Sequence, residues 1–313
     1  MKVISSVGQL RKSLRPSLLA IGVFDGVHLG HRYLIKKMVA DAKIAKARAV
    51  VITFYPHPVH VIHPHVSLPY LVSLKHRLKL FADLGVDICI VIKFTKRFSR
   101  LSPEYFLKHY VFDRLNPVAI FVGHDFHFGK NRKGNINILQ EMGDHHHCQI
   151  YDLAAVKKHD HKISSTHIRK LISDGRLKEA QVLLGREISV FGKVIKGDRR
   201  GKTLGFPTAN IHFDKHQALP RGVYFAKVIL KKKIFYAMAN IGYRPSFAKN
   251  QKIHVEVHIF NFQRNIYGQD IEVVLLKKLR AERTFSSAQE LIAQLKKDQQ
   301  KSLSILKRLH FQR

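Results

Sequence analysis

The sequence predicts an α/β domain built on a parallel sheet, followed by a smaller antiparallel β-barrel domain that ends in a helix. Three observations support this prediction. The 313 residues exceed what a single hydrophobic core usually organises, and they suit two domains. In the first part, apolar runs alternate with amphipathic stretches; in the second, short strands are separated by Gly, Pro and basic turns. We place the boundary near Glu187, which gives domains 1–186 and 187–313.

The first domain begins with a β-α-β unit. Residues 18–24 (LLAIGVF) form an apolar run typical of a buried strand, and residues 49–54 (AVVITF) form a second one. Between them, residues 33–47 carry apolar side chains at helical spacing. The same criteria predict strands at 86–92 and 118–123, and two short helices within 165–184 that break near Gly175.

The second domain contains short strands of the kind found in an antiparallel sheet or small barrel. These strands are FGKVI (191–195), GVYFAKVIL (222–230), IFYAMANI (234–241), IHVEVHIF (253–260) and IEVVLL (271–276). Ser287 and Glu290 have the spacing of a capping box, which predicts the start of a helix. This helix is expected to continue through Leu309.

The most unusual bulk property is the formal net charge of +33. Such a charge alone favours a nucleic-acid partner, through contacts to phosphates. However, the excess is spread evenly, with 30 Lys and Arg against 13 Asp and Glu before Glu187, and 25 against 9 from Glu187 onward. No basic stripe interleaved with aromatic residues accompanies it. We therefore expect no specific nucleic-acid partner, and a basic nucleic-acid-binding protein is the competing class.

Composition also limits the cellular setting. No run of eighteen or more uncharged apolar residues is long enough to span a bilayer, and the first twenty residues lack the pattern of a secretory signal. The two cysteines, Cys89 and Cys148, provide no disulfide framework. We expect a cytoplasmic protein with no membrane partner. Three consecutive histidines at 145–147 have no partner ligands spaced nearby, so we expect a solvated loop there.

Residues 22–31 (GVFDGVHLGH) form the first group of residues that suggests a ligand-binding or catalytic site. A buried strand is predicted to run into a turn with three glycines, and a helix follows. Gly26 and Gly30 let the backbone approach a ligand closely, while His28 and His31 can donate to phosphate oxygens near the positive end of the helix. The alternative is that one histidine caps the helix and the other packs against it. The position after a buried strand favours a phosphate site.

Residues 162–175 (KISSTHIRKLISDG) form a second candidate phosphate site. Ser164, Ser165 and Thr166 precede a predicted helix whose first turn also carries Arg169. Hydroxyls, free backbone amides and a guanidinium together can hold a polyphosphate. Taken alone, the segment is more typical of a serine helix cap beside a surface arginine. Its combination with the first constellation favours the phosphate interpretation.

In the second domain, residues 193–211 (KVIKGDRRGKTLGFPTANI) combine a glycine-rich basic turn with hydroxyl and amide side chains. Gly197, Gly201 and Gly205 can release backbone amides toward phosphates, and Thr208 and Asn210 offer the oxygen ligands that Mg²⁺ prefers. The segment is not a Walker motif, so without relatives a basic surface loop is the simpler interpretation.

Alternation along residues 253–260 isolates one carboxylate. Val255 and Val257 fall on one face of the predicted strand with Ile253 and Ile259, whereas Glu256 falls on the other face beside two histidines. A carboxylate that accepts the proton of an attacking hydroxyl is what phosphorylation of an alcohol requires. The simpler alternative is a solvated surface glutamate.

These motifs resemble those of one known family in both halves of the chain. The two phosphate-site segments, with TFYPHP (53–58) and VGHDFHFGKNRKG (122–134), resemble the nucleotidyltransferase domain of prokaryotic bifunctional riboflavin kinase/FMN adenylyltransferases, also called FAD synthetases. The loop with its Pro-Thr-Ala-Asn core, MANIGYRPSF (238–247) and NIYGQDI (265–271) resemble the riboflavin kinase domain of that family. The resemblance extends over nearly the whole chain.

The resemblance implies a Rossmann-like nucleotidyltransferase domain followed by a riboflavin kinase barrel. It implies that ATP phosphorylates riboflavin to FMN and that a second ATP adenylylates FMN to FAD with release of pyrophosphate. Mg²⁺ is the implied cofactor, and ATP, riboflavin and FMN are the implied small-molecule substrates. A nucleotidyltransferase for another phosphorylated small molecule is a rival, but the kinase-like half argues against it. The oligomeric state is left open.

Residue roles follow from the resemblance by match. His28 and His31 are the implied catalytic residues of adenylyl transfer, and Glu256 is the implied base of the kinase. His57 and Asp125 are candidates for the flavin site. The implied nucleotide-binding residues are Gly22, Phe24, Asp25, Gly26, Gly30, Ser165, Thr166, Arg169, Gly197, Gly201, Gly205, Thr208 and Asn210, the last two also being the expected Mg²⁺ ligands.

Two positions depart from the family pattern. His167 stands where the family usually has arginine, and Tyr55 stands where an acidic residue is common. Both departures lie inside motif segments, whereas the core motif residues are all present. They bear on nucleotide and flavin affinity rather than on the identity of the family.

Overall fold

A six-stranded parallel sheet organises the first half of the chain in the computed structural model, which describes residues 1–5, 16–154, 156–158, 161–197, 200–214, 216–243 and 253–311. The sheet order is β1-β4-β3-β2-β5-β6. Its strands are β1 (Lys2–Ile4), β2 (Ser17–Ile21), β3 (Arg48–Tyr55), β4 (Ile88–Lys93), β5 (Pro117–Gly123) and β6 (Gln149–Leu153).

Helices connect these strands, as the predicted α/β class requires. The helices are α1 (Leu29–Ile44), α2 (Pro58–Ile62), α3 (Leu74–Asp83), α4 (Pro103–Phe106), α5 (Asp113–Leu115), α6 (Ile136–His145) and α7 (Ser165–Ser173). A π-helical segment, Leu107–Phe112, joins α4 to α5, and short 3-10 turns lie at Phe98–Arg100 and Lys130–Arg132. A small hairpin of β7 (Lys157–Lys158) and β8 (His161–Lys162) precedes α7.

Both faces of the parallel sheet are buried, as expected for a sheet covered by helices. In β2, Leu19 and Ile21 belong to one apolar cluster, whereas Leu18 and Ala20 belong to another. Successive side chains of a strand point to opposite faces, so each cluster lies on its own side of the sheet. The second cluster includes the apolar side chains of α1 and α3.

The predicted bounds of the first β-α-β unit were partly wrong. The first strand ends at Ile21 rather than at residue 24, because the chain turns away with Phe24 at φ 52°. Helix α1 begins at Leu29 rather than at residue 33, because the side chain of His28 caps it. The same helix ends at Ile44 rather than at residue 47, because Lys46 adopts a left-handed conformation with φ 49°.

A closed antiparallel barrel forms in the second half of the chain, which confirms the barrel alternative. Its strand order within the described residues is β10-β13-β12-β11-β14-β9, with β9 also paired to β10. The elements are α8 (Leu177–Leu184), β9 (Ser189–Ile195), α9 (Arg200–Thr203), β10 (Ala209–His212), β11 (Gly222–Leu230), β12 (Lys233–Tyr243), β13 (Ile253–Ile259), β14 (Asp270–Arg280) and α10 (Ala288–Phe311).

Two predictions about helices are confirmed in this half. Helices α7 and α8 are separate and flank Gly175, which has φ 73°. At the start of α10 the Ser287 hydroxyl accepts a hydrogen bond from the Glu290 backbone amide at 3.2 Å. The Glu290 carboxylate reaches back to the amide of Ser286 at 3.0 Å. Among the helices of the described residues, none combines the length and the hydropathy that a membrane span needs.

The chain divides into two compact units, Met1–Ile168 and Arg169–Arg313, and the division falls inside α7. Glu187, near which we predict the domain boundary, lies between α8 and β9, the first strand of the barrel.

Candidate active sites

Three of the predicted motif segments follow neighbouring strands of the parallel sheet. Residues 22–31 come directly after β2, residues 56–58 follow β3, and Asp125 lies shortly after β5. Because β3, β2 and β5 are adjacent and parallel, the carboxyl ends of the three strands meet at one edge. In sheets of this type, ligands bind outside the carboxyl ends where the strand order reverses, and β2 lies at that point.

The turn after β2 is tightly constrained. Phe24 and Val27 adopt left-handed conformations with φ 52° and 42°, which are uncommon for side chains of this size. The buried Asp25 carboxylate accepts a hydrogen bond from the Leu71 amide at 3.1 and 3.2 Å. Gly26 has φ 83°, and a Cβ there would lie 2.6 Å from the Leu71 side chain. Glycine is therefore required at the centre of this turn.

His28 and His31 stack on each other where α1 begins. Their ring centroids are 3.6 Å apart at an interplanar angle of 17°. His28 Nδ1 accepts a hydrogen bond from the His31 amide at 3.3 Å, and the His31 ring packs edge-on against Phe24. The structure thus shows the capping and packing roles that we weighed as an alternative. These roles also orient the rings: with Nδ1 as acceptor, neutral His28 carries its proton on Nε2, where it can donate.

The electrostatics of the turn favour the neutral form of His31. Burial lowers the pKa of His31 well below its usual value, and the nearby charges of His28 and Arg77 lower it further. The buried Nδ1 of His31 has no hydrogen-bond partner within the described residues.

The second phosphate motif contacts the first. Ser164 caps α7 by accepting a hydrogen bond from the His167 amide at 3.2 Å, whereas the Ser165 hydroxyl donates to the backbone carbonyl of Asp25 at 2.8 Å. Thr166 is exposed, and Arg169 follows one turn later in α7.

The two flavin-site candidates lie at the same edge of the sheet. His57 caps α2, its Nδ1 accepting from the Val59 amide at 3.2 Å, and its own amide donates to the Tyr70 hydroxyl at 3.2 Å. Tyr70 precedes Leu71, so one short segment connects His57 with Asp25. Asp125 is exposed in the turn that follows β5.

Two buried residues behind the turn, Arg77 and Thr53, were not predicted as site residues, although Thr53 begins the motif segment 53–58. The Arg77 guanidinium, on α3, donates to the Val23 carbonyl, and the Thr53 hydroxyl donates to the same carbonyl at 2.9 Å. One signal could have identified Arg77, because it occupies the apolar face of α3, at helical spacing from Leu80 and Phe81.

In the barrel, glycines bring the loop after β9 against the predicted Mg²⁺ ligands. A Cβ on Gly197 would lie 2.1 Å from the Asn210 side-chain nitrogen, and a Cβ on Gly201 would lie 2.4 Å from the Phe206 carbonyl and 3.1 Å from the Thr208 hydroxyl oxygen. Gly205 has φ 80°. Asn210 is buried. The loop can approach Thr208 and Asn210 this closely only because two positions lack side chains.

Glu256 lies in a row of polar side chains across three strands. It pairs with Asn210 on β10 and with Asn240 on β12. Cross-strand partners share a face of the sheet, so the three side chains are neighbours. Val255 and Val257, each 1% exposed, occupy the opposite face, which confirms the predicted alternation. Asn240 was missed because its role depends on strand register rather than on local sequence.

The loop between β9 and β10 also contacts β13. A ring nitrogen of His258, Nδ1, lies 2.9 Å from the Pro207 carbonyl oxygen, and the His258 ring packs edge-on against Phe206. His258 is two residues from Glu256 and therefore shares its face of β13.

A pocket joins two of the predicted kinase motifs. It is lined by residues that include Pro207, Thr208, Arg264, Asn265, Ile266 and Tyr267. Val257 also lines this pocket, and Glu256 lies on the opposite face of β13 from Val257. Of the predicted segment 238–247, residues 238–243 belong to β12 and residues 244–247 lie outside the described residues. Among the described residues, no cluster of three or more His, Cys, Asp or Glu side chains has a metal-binding arrangement.

Comparisons with known proteins identify both halves. Residues 10–167 match the FAD synthetase family, and residues 184–306 match the riboflavin kinase family. The bifunctional riboflavin kinase/FMN adenylyltransferase of Buchnera aphidicola subsp. Schizaphis graminum is 39% identical over 301 residues, covering 95% of this chain and 96% of the relative. Its counterpart in Listeria monocytogenes is 38% identical over 297 residues, covering 93% of each.

A solved structure supports the two-domain fold over the same span. The crystal structure of a macrolide-efflux protein from Streptococcus pneumoniae is 30% identical, with a TM-score of 0.80, and the match covers 95% of this chain and 97% of that one. The order of the two family matches agrees with the order of the parallel sheet and the barrel. The chain therefore belongs to the family of bifunctional riboflavin kinase/FMN adenylyltransferases.

Proposed function

We propose that this chain makes FAD from riboflavin in two steps. It phosphorylates riboflavin to FMN with ATP, and it then adenylylates FMN with a second ATP to give FAD and pyrophosphate. The observation that carries the proposal is the presence of two separate constellations, the His28–His31 turn in one unit and the row of Glu256 and Asn210 in the other. Each lies within the matching family region.

In the kinase step, Glu256 is the proposed general base. Its carboxylate accepts the proton of the riboflavin 5′-hydroxyl while the hydroxyl oxygen forms a bond to the γ-phosphorus and ADP leaves. The backbone amides of the loop that carries Gly197, Gly201 and Gly205 face the phosphates.

Thr208 and Asn210 are the proposed ligands of Mg²⁺. Their hydroxyl and amide oxygens are hard donors. Asn210 lies in β10, and Thr208 directly precedes that strand. The close approach of Gly197 to the Asn210 amide holds that side chain in place. When bound, Mg²⁺ neutralises phosphate charge. The donor chemistry of these two residues fits an ion that prefers oxygen and retains several waters.

In the adenylylation step, a phosphate oxygen of FMN attacks the α-phosphorus of ATP, and the bond to the pyrophosphate leaving group breaks. The attacking phosphate is already an anion at neutral pH, so this step requires no general base. His28 and His31 donate to the phosphate oxygens, and the start of α1 adds its positive dipole end.

The remaining predicted residues of the adenylylation site are proposed to contact the nucleotide or the flavin. Ser165, Thr166 and Arg169 hold the nucleotide from α7, and His57 and Asp125 bound the flavin side. Backbone positions that approach the nucleotide closely are Gly22, Phe24, Asp25, Gly26 and Gly30.

We propose a cytoplasmic enzyme that acts on small molecules. Cys89 and Cys148 are free and buried, and burial raises the pKa of each thiol to about 12. Such thiols are poorly reactive, and the lack of a disulfide between these two cysteines suits a reducing compartment. We also propose that the kinase domain begins at Glu187, just before the first barrel strand and close to the start of the riboflavin kinase match at residue 184.

The test is a time course of the purified protein with riboflavin, ATP and Mg²⁺, with flavins separated by chromatography. We expect riboflavin to decline, FMN to rise first and FAD to accumulate. The absence of both FMN and FAD from a folded sample would overturn the proposed function.

A further inference from the structure

Arg77 is a buried cation behind the adenylylation turn. It is 2% exposed, although arginine is rarely buried this deeply. Its Nη1 donates to the Val23 carbonyl and, at 3.3 Å, to the Thr53 hydroxyl oxygen, and its Nη2 lies 3.5 Å from the Phe54 carbonyl oxygen. Each of these acceptors is a neutral oxygen. Burying a charge against neutral partners is costly, so a residue of this kind points to a functional demand.

The Val23 carbonyl lies at the point where the chain leaves β2. It accepts hydrogen bonds from both Arg77 and the Thr53 hydroxyl, and the next residue, Phe24, has φ 52°. A non-glycine residue in this conformation persists only where the surrounding structure holds it. The Phe24 ring in turn packs against His31. Contacts therefore run without a gap from Arg77 to the stacked histidines.

Arg77 also adds a fixed positive charge behind the two rings. Burial and the charge of His28 lower the pKa of His31, and the charge of Arg77 lowers it further. Burial lowers the pKa of Arg77 itself, and Asp25, the carboxylate within this turn, acts in the opposite direction by favouring the charged form. A neutral imidazole backed by a permanent cation can donate to phosphate without first taking up a proton.

We propose that Arg77 is a positioning residue for adenylyl transfer, which holds the Val23 carbonyl and so fixes the turn that presents His28 and His31 to the nucleotide phosphates. The proposal rests on adenylylation at this turn. It assigns a role to the Arg77 side chain, which extends from α3 and contacts the turn at the Val23 carbonyl.

The test compares Arg77→Met, which keeps the apolar stem, with Arg77→Lys, which keeps the charge but has fewer donors. Lys79→Met, on the exposed side of the same helix, is the matched control. We expect Arg77→Met to lower kcat for conversion of FMN to FAD by tenfold or more, since a displaced catalytic group costs roughly that much, and Arg77→Lys to recover part of the loss. Riboflavin phosphorylation in the same samples should stay within about twofold of the wild-type rate, because the kinase site is separate.

The split between KM and kcat separates positioning from a merely structural role. Because Arg77 reaches the phosphates only through the turn, the KM for ATP in FAD formation should stay within about twofold of the wild-type value in Arg77→Met while kcat falls, and Arg77→Lys should recover part of kcat. A rate loss that lies in KM and is not rescued by lysine would overturn the proposal. A folded Arg77→Met enzyme with a wild-type rate would also overturn it.

A second variant covers the case in which Arg77→Met does not fold. Thr53→Val keeps the side-chain shape and removes the other donor to the Val23 carbonyl, so we expect a severalfold lower kcat for FAD formation. An unchanged kcat would contradict the inference. If the wild-type protein itself makes no FAD from FMN, the proposed function fails; if the wild type is active and these variants match it, only the inference fails.

Discussion

The Ser165 hydroxyl donates a hydrogen bond to the Asp25 carbonyl at 2.8 Å, across 140 residues of sequence. This bond joins the two phosphate motifs of the first domain into one structure. The resemblance to the family predicts that Ser165 contacts the nucleotide. The structure shows that the Ser165 hydroxyl also supports the turn. Because the Asp25 carboxylate is held separately by the Leu71 amide, the turn is fixed from two sides.

We predict that Ser165→Ala lowers kcat for conversion of FMN to FAD by about five- to tenfold. The net loss of one hydrogen bond is about 1 kcal/mol, which corresponds to that factor when the bond supports the transition state. Ser173→Ala is the control, because within the described residues the Ser173 hydroxyl bonds locally, to the Lys170 carbonyl at 2.9 Å and to Asp174. Equal rates in the two variants would contradict a special role for the Ser165 bond.

Gly197→Ala should impair the kinase and spare adenylylation. The added methyl would lie 2.1 Å from the Asn210 side-chain nitrogen, so Asn210 must move away from the row that it forms with Glu256. We expect at least tenfold lower formation of FMN from riboflavin, because misplaced catalytic groups cost about that much. FAD formation from added FMN measures the other site in the same sample. A variant with normal FMN formation would show that the close Gly197–Asn210 contact is dispensable.

His31 should make stability depend on pH in a defined direction. Its pKa is lowered in the folded protein, whereas the unfolded chain has an ordinary value near 6.5. Between these two pKa values the unfolded state binds more protons than the folded state. The contribution of His31 to the free energy of unfolding is therefore complete above about pH 6.5. It is lost as the pH falls toward the folded pKa, by at most about 1.4 kcal/mol per pH unit.

Chemical denaturation of wild type and His31→Gln at pH 7.5, 6.5 and 5.5 measures this effect. The wild-type free energy of unfolding should fall more steeply below pH 6.5 than that of the variant. The other histidines are present in both proteins, so the difference isolates His31. Parallel pH dependences would mean that burial of His31 does not depress its pKa.

Local periodicity predicted most of the fold. The predicted strand at 222–230 coincides with β11, and the break near Gly175 separates α7 from α8 as expected. Strand β10 received no strand prediction of its own because it has four residues. Its pairing partners, β9 and β13, supply the stabilisation that its own sequence does not indicate.

The local patterns around the candidate residues were predictable where a motif is continuous in sequence. The His28–His31 turn and the alternation around Glu256 are local features, and the structure agrees with both patterns. Arg77 and Asn240 were missed for a physical reason. Their contacts join elements that are distant in sequence, so only the sheet register and the packing of α3 bring them to the sites.

The central claim is that two reactions occur at two independent sites, and one mixing experiment tests it most directly. His28→Ala should form FMN but not FAD, whereas Glu256→Ala should form FAD only when FMN is added. Each folded variant alone, given riboflavin, ATP and Mg²⁺, should therefore yield no FAD. We predict that a mixture of the two restores FAD formation, since FMN released by one enzyme is the substrate of the other. No FAD from the mixture, or loss of both steps in either variant alone, would contradict the account.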